Sequence, residues 1–126
     1  MLITIDERDS HPIYLQITLQ IKEQIRDGRL RPGETLPSVR ELADALGINL
    51  HTVRHAYGKL RDQGVIHFRL AQRARVAERR ARPAGPEEIE RDLLPRVQEL
   101  ITDAFHLGLT PEELRKLIDE ALDAEK

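Results

Sequence analysis

The chain has 126 residues, no cysteine, an aromatic content of 3%, and 20 Lys+Arg against 22 Asp+Glu. That length allows one modest core plus an appendage. The lack of cysteine excludes disulfides and thiolate metal sites, and the few aromatics argue against a deep stacking pocket for a large ligand. The near-neutral total hides an asymmetry. Residues 12–82 carry 14 Lys+Arg against 7 Asp+Glu, a net of +7, whereas residues 83–126 carry 5 against 12, a net of −7. A polyanion is expected to face the basic part. The apolar runs are too short to span a bilayer and the N-terminus lacks a basic-then-apolar signal, so the expected setting is cytoplasmic, away from membranes.

Leu2-Ile-Thr-Ile5 is β-prone and brief, and is expected to form a short strand or an arm packed on another element. Pro12 suits the first turn of a helix whose Tyr14, Ile17, Ile21 and Ile25 line one face until Gly28 ends it. Arg29 to Gly33 reads as a turn with Pro32-Gly33 as breaker. Ser38 then caps a second helix, and Glu41, three residues on, reaches back to the cap's amide. Leu42, Ala45 and Leu46 are expected to be its buried stripe. Gly47 suits a left-handed exit, and Asn49 caps a third helix. In that helix Val53, Ala56, Tyr57 and Leu60 recur at inward spacing, leaving Leu50, His51, Arg54 and His55 outward, while Gly58 weakens the interior. Gly64 closes it. Val65–Leu70 and Arg75–Ala77 then read as two strands around a basic tip carrying Arg69, Arg73 and Arg75. A helical hairpin alone is a common structural unit. Its coincidence with the basic half of the chain favours nucleic acid, and helices followed by a ribbon make a winged helix-turn-helix.

The tail has its own pattern. After Pro83-Ala-Gly-Pro86, residues Ile89, Leu93, Val97, Leu100, Ile101 and Ala104 recur at helical spacing, with a bend expected near Pro95. Thr110, Pro111 and Glu113 make a capping box, and Leu109 and Leu114 are placed as a hydrophobic staple. The apolar residues Leu114, Leu117, Ile118, Ala121 and Leu122 exceed what one neighbouring helix buries. Together with Leu93, Val97, Leu100 and Ile101 they predict pairing with a second copy. The expected division is a winged domain over 1–77, a basic linker over 78–86 and a two-helix dimerisation segment over 87–126. The fold class is mainly α with a small β wing.

Catalytic chemistry finds little footing. His11, His51, His55, His67 and His106 lack cysteine or carboxylate neighbours at ligand spacing. Glu87-Glu88 and Glu112-Glu113 sit in first turns of helices, where negative charge suits the dipole. No glycine-rich phosphate loop is present. No catalytic residue, metal or cofactor is therefore assigned.

The chain resembles the GntR family of bacterial transcription regulators. It does so through Pro12-Ile-Tyr, Gln16-Ile, Gly28, Leu30, Pro32-Gly33, Leu36-Pro-Ser, Arg40, Leu42-Ala43, Gly47, Thr52-Val53, Ala56-Tyr57, Leu60 and Gly64. Leu107-Gly-Leu-Thr-Pro-Glu-Glu-Leu114 and the short tail are similar to the YtrA subfamily. The resemblance implies a homodimeric repressor on an inverted-repeat operator, with a transporter operon as target. The candidate residues facing double-stranded DNA are Ser38, Arg40, Asn49, Leu50, His51, Thr52, Arg54, His55, Arg69, Arg73 and Arg75. Where related wings read Gly-x-Gly-Thr-Phe, this chain reads Ala71-Gln-Arg-Ala-Arg75. A tip that is reshaped, or disordered without DNA, is expected, because alanine and arginine resist the positive φ that glycine allows. An adaptor whose winged domain no longer reads sequence is the alternative. No effector is identified. One tail is expected to supply no walls for an enclosed metabolite pocket of about 300 Å³. An inducer would then sit at the dimer seam or against the winged domain, with Arg79-Arg80-Ala-Arg-Pro83 transmitting; the alternative is a constitutive binder.

Overall fold

The first helix, α1 (Ile13–Arg26), buries Ile17 and Ile21 completely, with Tyr14 and Ile25 partly covered at either end. The computed structural model describes residues 1–69, 71–78 and 83–125. Its contacts fall into two units, Met1–Ala81 and Arg82–Lys126. Of the linker named from the sequence, Arg79–Arg82 lies outside the described residues, as does Leu70.

In the first unit residues 2–6 form an arm and not a strand. A ladder of glutamines on α1 supplies the hydrogen bonds a neighbouring strand would have made. The Gln24 side chain donates to the Leu2 carbonyl at 2.7 Å. Gln20 both donates to the Thr4 carbonyl at 2.7 Å and accepts from its amide at 3.0 Å. Gln16 accepts from the Asp6 amide at 2.9 Å and donates to the Asp6 and His11 carbonyls. These glutamines lie four residues apart, so they share one helix face. Gln16 and Gln24 are buried because their polar ends are satisfied by backbone. The arm places Ile3 in the same hydrophobic core as Leu30, Leu36 and Leu60.

Helices α2 (Val39–Leu46) and α3 (Leu50–Asp62) follow, joined through Gly47 at φ +66°. The buried residues of α2 are Leu42 and Ala43, with Val39 and Leu46 partly covered; Ala45 is exposed. Positions 39, 42, 43 and 46 are the true i, i+3, i+4, i+7 stripe, and residue 45 falls off it. Strands β1 (Ile66–His67) and β2 (Arg75–Val76) pair antiparallel, with Ile66 opposite Val76 and His67 opposite Arg75. Both are shorter than their sequence pattern. β2 is flanked on its other side by the segment leading into α2. Gly33 donates to the Val76 carbonyl at 2.8 Å, Val76 to Glu34 at 2.9 Å, and Leu36 to Ala74 at 2.8 Å. Ala71, in the wing tip, takes φ +64°.

The second unit holds α4 (Pro86–Asp92), α5 (Leu94–His106) and α6 (Pro111–Ala124). The first of the two tail helices expected from sequence is thus divided at Leu93, whose φ of −115° leaves the regular helix. Proline 95 has no amide to offer the Arg91 carbonyl and its ring crowds it, so the chain restarts with Pro95 in the first turn of α5. Thr110 and Glu113 form the capping box in full. Ala104 is buried in this unit, while Ile89, Leu93, Val97, Leu100, Ile101, Phe105, Leu117, Ile118 and Leu122 are 39% to 73% exposed. Between α5 and α6 runs an apolar groove of about 340 Å³, lined by Val97, Leu100, Ile101, Leu114 and Ile118 among others. This groove reaches metabolite size but is open, and so differs from the enclosed pocket that one tail is expected to lack.

Candidate nucleic-acid interface

The site is built from two local caps and one buried helix face. At the start of α2 the Ser38 hydroxyl accepts from the Glu41 amide, and the Glu41 carboxylate accepts from the Ser38 amide, both at 3.1 Å. These bonds, with Arg73 beside them, hold the Glu41 carboxyl below its ordinary range. At the start of α3 the Asn49 side chain accepts from the His51 amide at 2.8 Å. Both caps fix helix N-termini whose free amides suit anionic partners.

Val53, Ala56, Tyr57 and Leu60 are fully buried and seat α3 on the core. Tyr57 adds specificity: its hydroxyl donates to the Pro37 carbonyl at 2.7 Å, and its ring meets Phe68 edge-on at 5.5 Å. The opposite face of α3 carries His51, Arg54, His55, Lys59 and Arg61 around a shallow groove beside Gly58. His51, Arg54 and His55 are exposed as the helical spacing predicts. His55 also makes an edge contact with the Tyr14 ring of α1 at 4.4 Å, which orients it. Leu50 differs: it is half-buried and packs on the core. Residues 50, 53, 57 and 60 share one helical stripe, so Leu50 belongs to the inward face. Thr52 is half-buried, and Arg40 is exposed on the first turn of α2.

In the wing, His67, Arg69, Gln72, Arg73 and Arg75 surround a small polar cleft. Arg69 and Arg75 are exposed. Arg73 is engaged: one guanidinium nitrogen lies 2.6 Å from Glu41 Oε1 and another donates to the Leu36 carbonyl at 3.2 Å. The structure thus brings Arg69, Arg73 and Arg75 together, and brings the wing to the capped start of α2. Lys59, His67 and Gln72 were not singled out for DNA from sequence. Lys59 was findable, lying one turn beyond His55 on the same face. His67 and Gln72 join only through the pairing of the wing. Among the described residues, no group of three or more His, Asp or Glu is placed to hold a metal ion, and no helix is long and apolar enough to cross a membrane.

Residues 13–76, from α1 through β2, match the family described as bacterial regulatory proteins, gntR family. The chain belongs to the GntR family. This GntR chain is similar to the HTH-type transcriptional repressor YtrA of Bacillus subtilis, at 38% identity over 119 residues, covering 94% of this chain and 91% of the relative. The crystal structure of a transcriptional antiterminator from Listeria monocytogenes EGD-e matches with a TM-score of 0.86 and 34% identity, over 99% of this chain and 92% of that one. The DNA-binding domain of AraR, solved in complex with operator ORX1, matches with a TM-score of 0.53 and 28% identity, over 61% of this chain and 96% of that one. At the place of the first glycine of the Gly-x-Gly-Thr-Phe pattern, Ala71 takes the left-handed conformation that alanine is expected to resist; at the place of the second, Arg73 reaches to α2.

Proposed function

We propose that this GntR protein is a homodimeric transcription repressor in which two winged units read the half-sites of an inverted-repeat operator. The observation that carries the proposal is α3, whose one face is wholly buried while the other presents His51, Arg54, His55 and Lys59. A helix held so firmly is suited to lie in a major groove, where Arg54 would pair with a guanine edge. Arg40, Arg69 and Arg75 would take phosphates, and the capped termini at Ser38 and Asn49, with His51, Thr52 and His55, would complete the contact. Leu50 and Arg73 are left out, because each is committed within the protein.

The tail supports the dimer. Its exposed apolar side chains on α4, α5 and α6 leave about half of each surface uncovered, more than a stable helical unit leaves bare. A second copy presents the same apolar faces and is the fitting cover. The groove between α5 and α6 would close in that pairing. Repression is carried over from the YtrA relative, and a transporter operon from the family resemblance. Selection of duplexes by the full chain from a random pool tests the proposal. A palindrome should be enriched, with half-sites centred about one helical turn apart, near 34 Å, or a multiple of it. Absence of any enriched sequence would favour the adaptor reading.

A further inference from the structure

Arg73 occupies a wing position where the family pattern that this chain resembles carries glycine, and its side chain is placed by two contacts to the start of α2. The guanidinium bridges two acceptors on the segment that starts α2: the Leu36 carbonyl at 3.2 Å and Glu41 Oε1 at 2.6 Å. Leu36 is fully buried, and Glu41 is the return arm of the Ser38 capping box. Next to these bonds the backbones are already joined, since Leu36 donates to Ala74 and Val76 donates to Glu34. The wing itself offers little support, because β1 and β2 pair over two residues each. Side-chain bonds of an ionised pair are the stronger kind, and Glu41 is held ionised well below neutrality by Ser38 and Arg73.

We infer that Arg73 is a positioning residue that straps the wing to the capped start of α2, so that Arg69 and Arg75 are presented to DNA while Arg73 is withheld from it. The strap adds a side-chain tie to the three backbone bonds between residues 33–36 and the wing, beside a β1–β2 ribbon that pairs over only two residues each. The inference rests on the DNA-binding reading for its consequence, but the strap itself is a property of the free protein.

The test uses the full chain and the duplex enriched from the random pool, with R73M, E41Q, R73K and the double variant E41Q/R73M. Glutamine at position 41 retains the capping box, so α2 keeps its start. R73M and E41Q should each weaken binding about three- to fivefold per subunit, in line with a half-exposed pair. The double variant should be no weaker than R73M, R73K should recover part of the loss, and the slope of log affinity against log salt should stay unchanged. A phosphate-contacting Arg73 gives the opposite pattern: R73M lowers the slope by about 0.9 per subunit, and E41Q tightens binding by releasing the guanidinium. That pattern would overturn the inference. Hydrogen exchange on the DNA-free protein decides independently. The Leu36 and Val76 amides should exchange several-fold faster in R73M and E41Q, and unchanged protection would refute the strap. If the wild-type chain enriches no duplex, the DNA-binding reading fails while the exchange comparison still judges the strap.

Discussion

Tyr57 joins the recognition helix to the segment before α2, and Tyr57→Phe isolates that joint. The side chain is fully buried, and its hydroxyl donates to the Pro37 carbonyl at 2.7 Å. The substitution keeps the ring and its contact with Phe68 while leaving the carbonyl without its partner. A hydrogen bond of this kind contributes about 1 kcal/mol net, and the unpaired acceptor raises the loss toward 2 kcal/mol. For a domain of this size each kcal/mol moves the midpoint by about 4–8 °C, so a fall of roughly 5–15 °C is expected. The pH dependence gives a second reading. Burial pushes the Tyr57 hydroxyl above its ordinary value of 10.0. A group whose folded pKa is raised contributes stability that is fully present below the unfolded pKa and is lost as pH rises past it. The difference in stability between wild type and Tyr57→Phe should therefore be constant below about pH 9 and shrink above pH 10. Chemical denaturation of both proteins across that range measures it. Equal midpoints together with a difference independent of pH would refute the assigned bond and its burial.

Leu117→Asp should yield monomers in sedimentation, because two carboxylates would face each other in the tail interface without partners; an intact dimer would place the interface elsewhere. Gly58→Ala should raise stability by about 0.5–1 kcal/mol, since an added Cβ meets only the Arg61 guanidinium at 3.9 Å; a lowered unfolding midpoint would contradict this. Operator affinity should fall with salt at a slope near −7 if the two subunits neutralise roughly 8 phosphates, and a nearly flat response would sink the electrostatic account.

The parts legible in the sequence are those fixed by neighbours a few residues apart. Ser38 with Glu41, Thr110 with Glu113, Gly47 and the stripe Val53, Ala56, Tyr57, Leu60 follow from capping geometry and the helical repeat. Errors of facing arise where two stripes are compatible with the same short helix, as with Ala43 for Ala45 and the inward Leu50. Long-range pairings were not legible. Glutamines 16, 20 and 24 read as polar surface until the arm lies against them, and the bonding of residues 33–36 to β2 leaves no periodic trace. Arg73 reads as a free cation, because its partner Glu41 lies 32 positions earlier and already has a local role. In the candidate site the exposure of His51, Arg54 and His55 was legible in the helical repeat, whereas the inward Leu50 and the pairing of Arg73 with α2 were not.

The most direct test of the central claim repeats the random-pool selection with Arg54→Ala. Arg54 lies on the exposed side of α3, and a bidentate contact to guanine contributes about 1–3 kcal/mol of discrimination. The account predicts that preference is lost at one base-pair position in each half of the palindrome, at mirror-related places, while the other positions persist. An enriched sequence identical to that of the wild type would contradict the recognition helix, and a change confined to one half would contradict the symmetric dimer.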